Sequence, residues 1–440
     1  MWNGGRRKKA AWMLAAVFVT AGILTGAFFA FRTEGGPPSI QASESAPASP
    51  AQNRQIILSM GESPETMTVS WKGSSEGPAC FRFGSSKEDL SAETVMEAER
   101  KKALQGRYYR YTVTLENLQQ GQTCYYQIGD GVTFDPPKSF TVPDETGETT
   151  FLYLGDVQYD VSLVEYQQWG TMTADICEEN PDIDFAVIGG DMVNSPSKAA
   201  QWNSFLDNCG VFSQIPLMTV SGNHEGVSSN RTYRKLFAMP QNGPDDEELR
   251  EDFYYFDYGS CRFVMLDSSF LTADRKEKLG AARWNACEKQ IETWLTEVLE
   301  RNTRSWIVVV VHHPPYGLHD NATVSPELRK RWTPIMRKGG VDLVLCGHQH
   351  MYLRTCKIGG ITYVMGNSGT RVSEFYNGYN APLYSRSVYE GATYQIITAT
   401  DAELRLVCRT QKGLVIDETT LKKGLRFHIL EFLSSGQIVV

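Results

Sequence analysis

Two kinds of hydrophobic pattern divide the chain. Between residues 55 and 142, short segments with alternating apolar positions are separated by turn residues: Ile56-Ile57-Leu58, Met67-Thr68-Val69-Ser70-Trp71, Cys80-Phe81-Arg82-Phe83, 107–115, 123–128 and Ser139-Phe140-Thr141-Val142. About six or seven short strands within ~90 residues predict an all-β sandwich. No cluster of catalytic residue types lies inside it. From residue 150 to about 400 the apolar runs lengthen and alternate with stretches of helical period, which the spacing places at 163–179, 198–208, 286–300 and 326–338. Later strands at 254–258, 261–267, 361–366, 393–400, 403–409 and 414–420 predict a second sheet packed on the first. The expected fold class is α/β, a layered sandwich of two packed β-sheets flanked by helices behind an all-β sandwich.

The longer strands share one grammar, an apolar run, then glycine or a β-branched residue, then a metal-ligand type. The run 151–154 ends in Gly155-Asp156, 185–188 in Gly189-Gly190-Asp191, and 217–220 in Ser221-Gly222-Asn223-His224. The run 306–311 ends in His312-His313, and 341–346 in Gly347-His348-Gln349-His350. In parallel α/β sheets chemistry collects beyond the carboxyl ends of the strands, so these residues are expected to meet at one sheet edge. If the 348–350 segment is extended, His348 and His350 point the same way ~6.5–7 Å apart, enough to serve two different ions. By the same alternation His313 faces away from His312, into packing. Carboxylate, amide and imidazole together are the donor mixture that first-row transition ions favour.

Composition changes this picture little. The 440 residues allow about two or three domains, and 41% hydrophobic content permits a large core. A net charge of −8 argues against a general nucleic-acid partner. Nine cysteines are too sparse and irregular for a disulfide scaffold or a Cys-x-x-Cys zinc site, and buried thiols are the expectation, although Cys346 and Cys356 bracket the histidine turn and could be cross-linked if their strands neighbour each other. The amino end does add something. Arg6-Arg7-Lys8-Lys9 precedes an apolar stretch over 10–31, long enough to span a bilayer, and the basic flank holds that end in the cytoplasm. Residues 1–32 are therefore expected to be a membrane anchor, or else a cleaved signal sequence, with the remainder exported. Residues 33–52, rich in Gly, Pro, Ser and Ala, read as a disordered linker. The sandwich is placed at 53–143, the α/β domain at 149–423 and a tail at 424–440.

Gly155-Asp156, Gly190-Asp191, Gly222-Asn223-His224-Glu225, Val309-Val310-Val311-His312 and Gly347-His348-Gln349-His350-Met351-Tyr352, in this order, resemble the motifs of the calcineurin-like metallophosphoesterases and, within them, of purple acid phosphatases. The resemblance covers nearly all of 53–423, and the amino-terminal sandwich is similar to the fibronectin-III-like domain of that family. It implies a phosphate-ester hydrolase with two divalent or mixed-valence ions (Fe, Mn or Zn). Asp191 would bridge the ions, Asp156 and His350 would hold the first, and Asn223, His312 and His348 the second. It further implies that His224 contacts the phosphate and helps protonate the leaving oxygen, and that His319, on the loop after Pro314-Pro315-Tyr316-Gly317, faces substrate. Attack by hydroxide on phosphomonoesters is the expected reaction, with phosphodiester or nucleotide pyrophosphate cleavage on the same centre as the alternative, and an envelope-binding protein with a vestigial site behind both.

Two positions depart from the pattern. Asn194 stands where purple acid phosphatases carry the tyrosinate that colours them, and Gln158 stands where other members have a histidine. Gln158 is expected to offer its amide oxygen to the first ion, the alternative being a glutamine that only hydrogen-bonds a ligand. Loss of tyrosinate predicts a colourless protein.

Overall fold

A computed structural model of the chain describes residues 54–73, 79–88, 90, 96–97, 99–103, 108–144, 147–226, 232–319, 323–373 and 385–423. The expected anchor at 1–32, the linker at 33–52 and the tail at 424–440 lie outside the described residues. Among the described residues, no helix is long and apolar enough to cross a membrane.

The amino-terminal part is a β-sandwich of two four-stranded sheets. One has the order Arg54–Met60, Met67–Gly73, Tyr108–Leu115, Glu99–Ala103, and the other Met96–Glu97, Cys80–Gly84, Thr123–Gly129, Lys138–Thr141. The strand Thr123–Gly129 buries every second residue, Cys124, Tyr126 and Ile128, as a sheet with one solvated face should. Between the sheets Trp71 lies against Phe81 and Tyr111 at ring-centroid distances of 6.0 and 5.9 Å, and Phe81 against Tyr126 at 5.5 Å.

This sandwich is fused to the α/β part rather than strung beside it. Gln55 Nε2 donates to Asn203 Oδ1 at 3.1 Å and Asp207 Oδ1 at 2.9 Å, Ser59 Oγ to the Ala238 carbonyl at 2.8 Å, and Tyr126 Oη to the Ser213 carbonyl at 2.6 Å. Ile57, Leu58 and Trp71 belong to the same hydrophobic core as Phe151, Trp202 and Met218.

The α/β part contains two sheets. In the first, Leu217–Thr219, Phe185–Ile188 and Thr149–Leu154 run parallel, and Thr393–Ala399, Glu403–Thr410 and Val415–Lys422 continue it antiparallel. In the second, Cys261–Leu266, Trp306–Val311, Leu343–Cys346 and Thr362–Met365 run parallel, flanked by Phe253–Tyr258 on one side and by Tyr352–Thr355 and Ser385–Tyr389 on the other. The two-sheet architecture agrees with the sequence reading, but the strands from 393 onward extend the first sheet instead of joining the second. Their pairing with residue 149 onward crosses more than half the chain, and nothing in local periodicity encodes it.

The strand Trp306–Val311 shows why an unbroken apolar run was required. Trp306, Val308 and Val310 enter the core between the sheets, where Phe151, Phe185, Phe256 and Phe263 pack, whereas Ile307, Val309 and Val311 enter a second core under the helix Ala281–Glu300. With both faces covered, alternation disappears from the sequence. The helix expected at 326–338 is two helices, Val324–Lys330 and Trp332–Lys338. Pro334 has no N–H for the Lys330 carbonyl, and its ring clashes there, which breaks the helix at Arg331. None of the nine cysteines is joined in a disulfide; eight are buried and Cys356 is half-buried.

The two sheets approach closely at Gly155, where a β-carbon would lie 2.1 Å from the Gly366 carbonyl oxygen. Neighbouring Tyr153 donates its hydroxyl to the Cys346 carbonyl across the same gap at 2.6 Å. Gly155→Ala is expected to lower unfolding stability by about 1–3 kcal/mol through this overlap. Gly210→Ala, at a site with nothing within 4 Å of the added carbon, is expected to change it by less than about 1 kcal/mol. Thermal denaturation of the two variants measures the difference.

Candidate metal centre

The site forms where the carboxyl ends of the two sheets face each other. Asp156, Asp191 and Asn223 follow strands of the first sheet, while His312, His348 and His350 follow strands of the second. A single sheet edge was expected; the donors instead converge across the sandwich. The second difference is at the histidine turn. The strand ends at Cys346, and His348 and His350 adopt left-handed backbone, φ 76° and 50°. They are therefore not presented by extended alternation. Asp191, at φ 51°, is left-handed too. Three residues of the site thus hold a backbone state that costs non-glycine residues about 1–3 kcal/mol each. Part of the offset comes from Glu225, whose buried carboxylate accepts from the N–H groups of Asp191 (2.9 Å), Met192 (2.9 Å), Val193 (3.2 Å) and Gly222 (2.9 Å). Four donors on one carboxylate clamp the turn that aims Asp191. Glu225 stood within a recognised motif but was given no role; its function depends on backbone groups that sequence does not display.

The candidate ligands fall into two groups sharing one residue. Donor atoms of Asp191, His312 and His348 all lie within 4.8 Å of one another, and so do those of Asp156, Asp191 and His350. Asn223 completes the first of these, its Oδ1 standing 2.8 Å from His348 Nδ1 and 3.1 Å from His312 Nε2. His312 Nδ1 donates to the Gly189 carbonyl at 2.9 Å, which leaves Nε2 as the inward atom, 3.1 Å from Asp191 Oδ2. The His348 backbone N–H donates to Asp156 Oδ2 at 2.7 Å, so the turn also orients Asp156.

The electrostatics of this cluster are unresolved within the protein itself. Burial, reinforced by neighbouring Asp191, pushes the Asp156 carboxyl up, whereas Asp191 overcomes its own burial through the charge of His312 and is pulled down. For His312 burial opposes a charge, yet the carboxylates of Asp191 and Asp156 prevail and lift it to about 10. Burial and the charge of His312 depress His348 to about 3, and burial together with the charge of Arg371 depresses His350 to about 4. Asp156 Oδ1 is buried without a hydrogen-bond partner. An orphaned carboxylate oxygen beside two neutral, lone-pair-bearing imidazoles is what a cation site requires, and the oxygen and nitrogen donors present fit a pair of first-row ions.

Gln158 calls for a correction. Its Nε2 donates to Asp191 Oδ2 at 2.9 Å and its Oε1 accepts from Arg371 Nη1 at 2.9 Å. A flipped amide would set oxygen against carboxylate and NH₂ against guanidinium, so both partners impose this orientation. The oxygen expected on the first ion is occupied, and Gln158 braces Asp191 instead. Asn194 turns its Nδ2 to the Tyr159 carbonyl at 3.0 Å, and its own carbonyl receives His224 Nδ1 at 2.7 Å. With Nδ1 so engaged, His224 presents Nε2 to the site, 3.8 Å from Asp191 Oδ2, with 28% of the side chain exposed. His313 is buried against Ser268 Oγ at 2.8 Å and lies beside the His348 ring at a centroid distance of 4.3 Å, a packing role as expected. His319 is exposed, and its carbonyl accepts from Gln349 Nε2 at 2.6 Å. Sequence reasoning missed Arg371, which carries no motif and approaches from a distant loop.

Comparison with known proteins agrees with this geometry. Residues 149–352 match the calcineurin-like phosphoesterase family and residues 53–142 the purple acid phosphatase N-terminal domain. An uncharacterized protein of Mycobacterium tuberculosis is 27% identical over 190 residues, 40% of this chain and 35% of that protein. The chain thus spans about a third of the length of the first such relatives it matches. Purple acid phosphatase 22 of Arabidopsis thaliana is 25% identical over 279 residues, 59% of this chain and 58% of that protein. A nucleotide pyrophosphatase/phosphodiesterase of Hordeum vulgare is 25% identical over 346 residues, 67% of this chain and 89% of that protein. Among solved structures, a purple acid phosphatase from yellow lupin (Lupinus luteus) seeds superposes with a TM-score of 0.66 at 18% identity, covering 85% of this chain and 75% of that one. The likeness is one of fold. Two donor groups joined at Asp191, on a two-sheet scaffold behind a β-sandwich, thus fall within the matched regions: the chain carries a calcineurin-like phosphoesterase domain preceded by a purple acid phosphatase N-terminal domain.

Proposed function

We propose that this chain is an exported, membrane-anchored phosphoesterase that hydrolyses phosphomonoesters with two metal ions. The observation that carries the reading is the pair of donor groups meeting at Asp191. Export and anchoring rest on the basic flank and apolar stretch of residues 6–31. In this reading Asp156, Asp191 and His350 hold one ion, and Asp191, Asn223, His312 and His348 the other. When bound, the ions supply positive charge for the phosphoryl oxygens and lower the pKa of attacking water. The chain does the rest. Glu225 and Gln158 fix Asp191 from two sides, and His312 is held in one tautomer by the Gly189 carbonyl. His224, with Nδ1–H committed to the Asn194 carbonyl, carries at Nε2 the proton destined for the leaving oxygen. A second reading, phosphodiester or nucleotide pyrophosphate cleavage, is favoured by the name of the barley relative, which the chain matches over most of that protein's length.

Assays of the metal-loaded protein with p-nitrophenyl phosphate and bis-p-nitrophenyl phosphate across Mn, Zn and iron test the function; hydrolysis of neither would overturn it. His224→Ala is expected to retain its metal while kcat falls ~10²–10⁴-fold. The iron-loaded protein is expected to lack the visible tyrosinate-to-iron band, because Asn194 supplies no phenolate; an absorption spectrum decides. His350→Ala leaves the first ion with only Asp156 and the shared Asp191, whereas His348→Ala leaves the second with Asn223, His312 and Asp191. Excess Mn or Zn is therefore expected to restore activity to His348→Ala far more than to His350→Ala, and metal analysis after gel filtration should show His350→Ala one ion short.

A further inference from the structure

Arg371 is held beside the site with a rigidity that its place in a loop would not suggest. Asn367 bridges to Asp156 in parallel register, and the N–H groups of Ser368 and Gly369 both donate to the Asp156 carbonyl, at 2.8 and 2.6 Å. Thr370 Oγ1 contacts the Glu165 carboxylate and accepts from the Asp160 N–H at 3.1 Å. Glu165 in turn accepts from the N–H groups of Asp160, Val161 and Ser162. Asn367 Nδ2 donates to the Arg371 carbonyl at 2.8 Å. The loop that carries Asp156 and Gln158 and the loop that carries Arg371 are therefore one body.

The half-buried Arg371 guanidinium makes a single side-chain hydrogen bond among the described residues, Nη1 to Gln158 Oε1, and no ion pair there. After burial, its charge is the strongest influence on His350. A cation that forms no ion pair among the described residues, next to a site for two metal ions, opposes metal binding. It becomes favourable when an anion completes the set, and a guanidinium with spare N–H donors matches the oxygens of a phosphoryl group.

We propose that Arg371 binds the nonbridging oxygens of the substrate's terminal phosphoryl group and biases the site toward dianionic monoesters over monoanionic diesters. The inference rests on the phosphoesterase reading above. The alternative is that Arg371 only holds Gln158 in place.

The test uses metal-loaded wild type, Arg371→Ala and Arg371→Lys. It reads KM and kcat for the mono- and bis-p-nitrophenyl esters, the Kd of inorganic phosphate by calorimetry, and metal content. Arg371→Ala is expected to raise the phosphate Kd and the monoester KM about 10- to 100-fold. The diester KM should rise by no more than a few fold, and metal content should be undiminished. Arg371→Lys, which keeps the charge without the planar fork, should fall between, and it serves alone if the alanine variant does not fold. Unchanged phosphate affinity, equal losses on both esters, or a loss of metal with phosphate affinity intact would each overturn the proposal. Should wild type hydrolyse neither ester, the functional reading fails, and phosphate calorimetry still decides whether Arg371 binds the anion.

Discussion

Asp191 is a carboxylate buried to within 1% of full enclosure that lies in both donor groups, and the architecture around it serves to keep it charged and aimed. An isolated carboxylate in such surroundings would neutralise by taking up a proton. Here the His224 N–H donates to it at 2.9 Å, Gln158 donates from another side, and the His312 imidazole faces it. Its left-handed backbone is held by Glu225 through four N–H groups. The close approach at Gly222 follows from the same demand: a β-carbon there would sit 2.1 Å from Asp191 Oδ1. Removing any one of these supports leaves the others with a misdirected charge in a low-dielectric interior, which makes the site cooperative in the structural sense.

What could be read from sequence follows from how local each cause is. The strands Trp306–Val311 and Leu343–Cys346 were legible because burial on both faces writes an unbroken apolar run, and the convergence of the polar residues after them was legible because parallel strands put chemistry beyond their carboxyl ends. The shape of the histidine turn was not. His348 and His350 are non-glycine residues at positive φ, and no residue type announced that the extended pattern stops at Cys346. The role of Gln158 was undecidable from its neighbours, since its oxygen is claimed by an arginine 213 residues away. Glu225 was invisible for a related reason, as its partners are main-chain amides. Sheet membership of the strands after 393 depends on long-range pairing, which periodicity does not carry.

The left-handed residues and the charge conflicts point in one direction. Asp156 Oδ1 lacks a hydrogen-bond partner, the neighbouring carboxylates favour a charge on His312, and burial and nearby positive charge disfavour one on His348 and His350. Backbone strain and electrostatic frustration are held in place by two large hydrophobic cores on either side of the second sheet. A scaffold of that size offsets local costs that a smaller domain could not bear.

The sharing of one core between the sandwich and the first sheet has a consequence for how the protein can be cut and recombined. Ile57 and Trp71 pack in the same cluster as Met218 and Trp202, and the Met60 N–H even points at the Met218 sulfur at 3.3 Å. Severing the chain between 143 and 149 would therefore not free two soluble halves. It would strip a wall from the phosphoesterase domain and bare the apolar residues beneath the strand that leads to Asn223. The sandwich thus forms part of the same interior as the phosphoesterase domain, and is not a module that could be exchanged for another spacer.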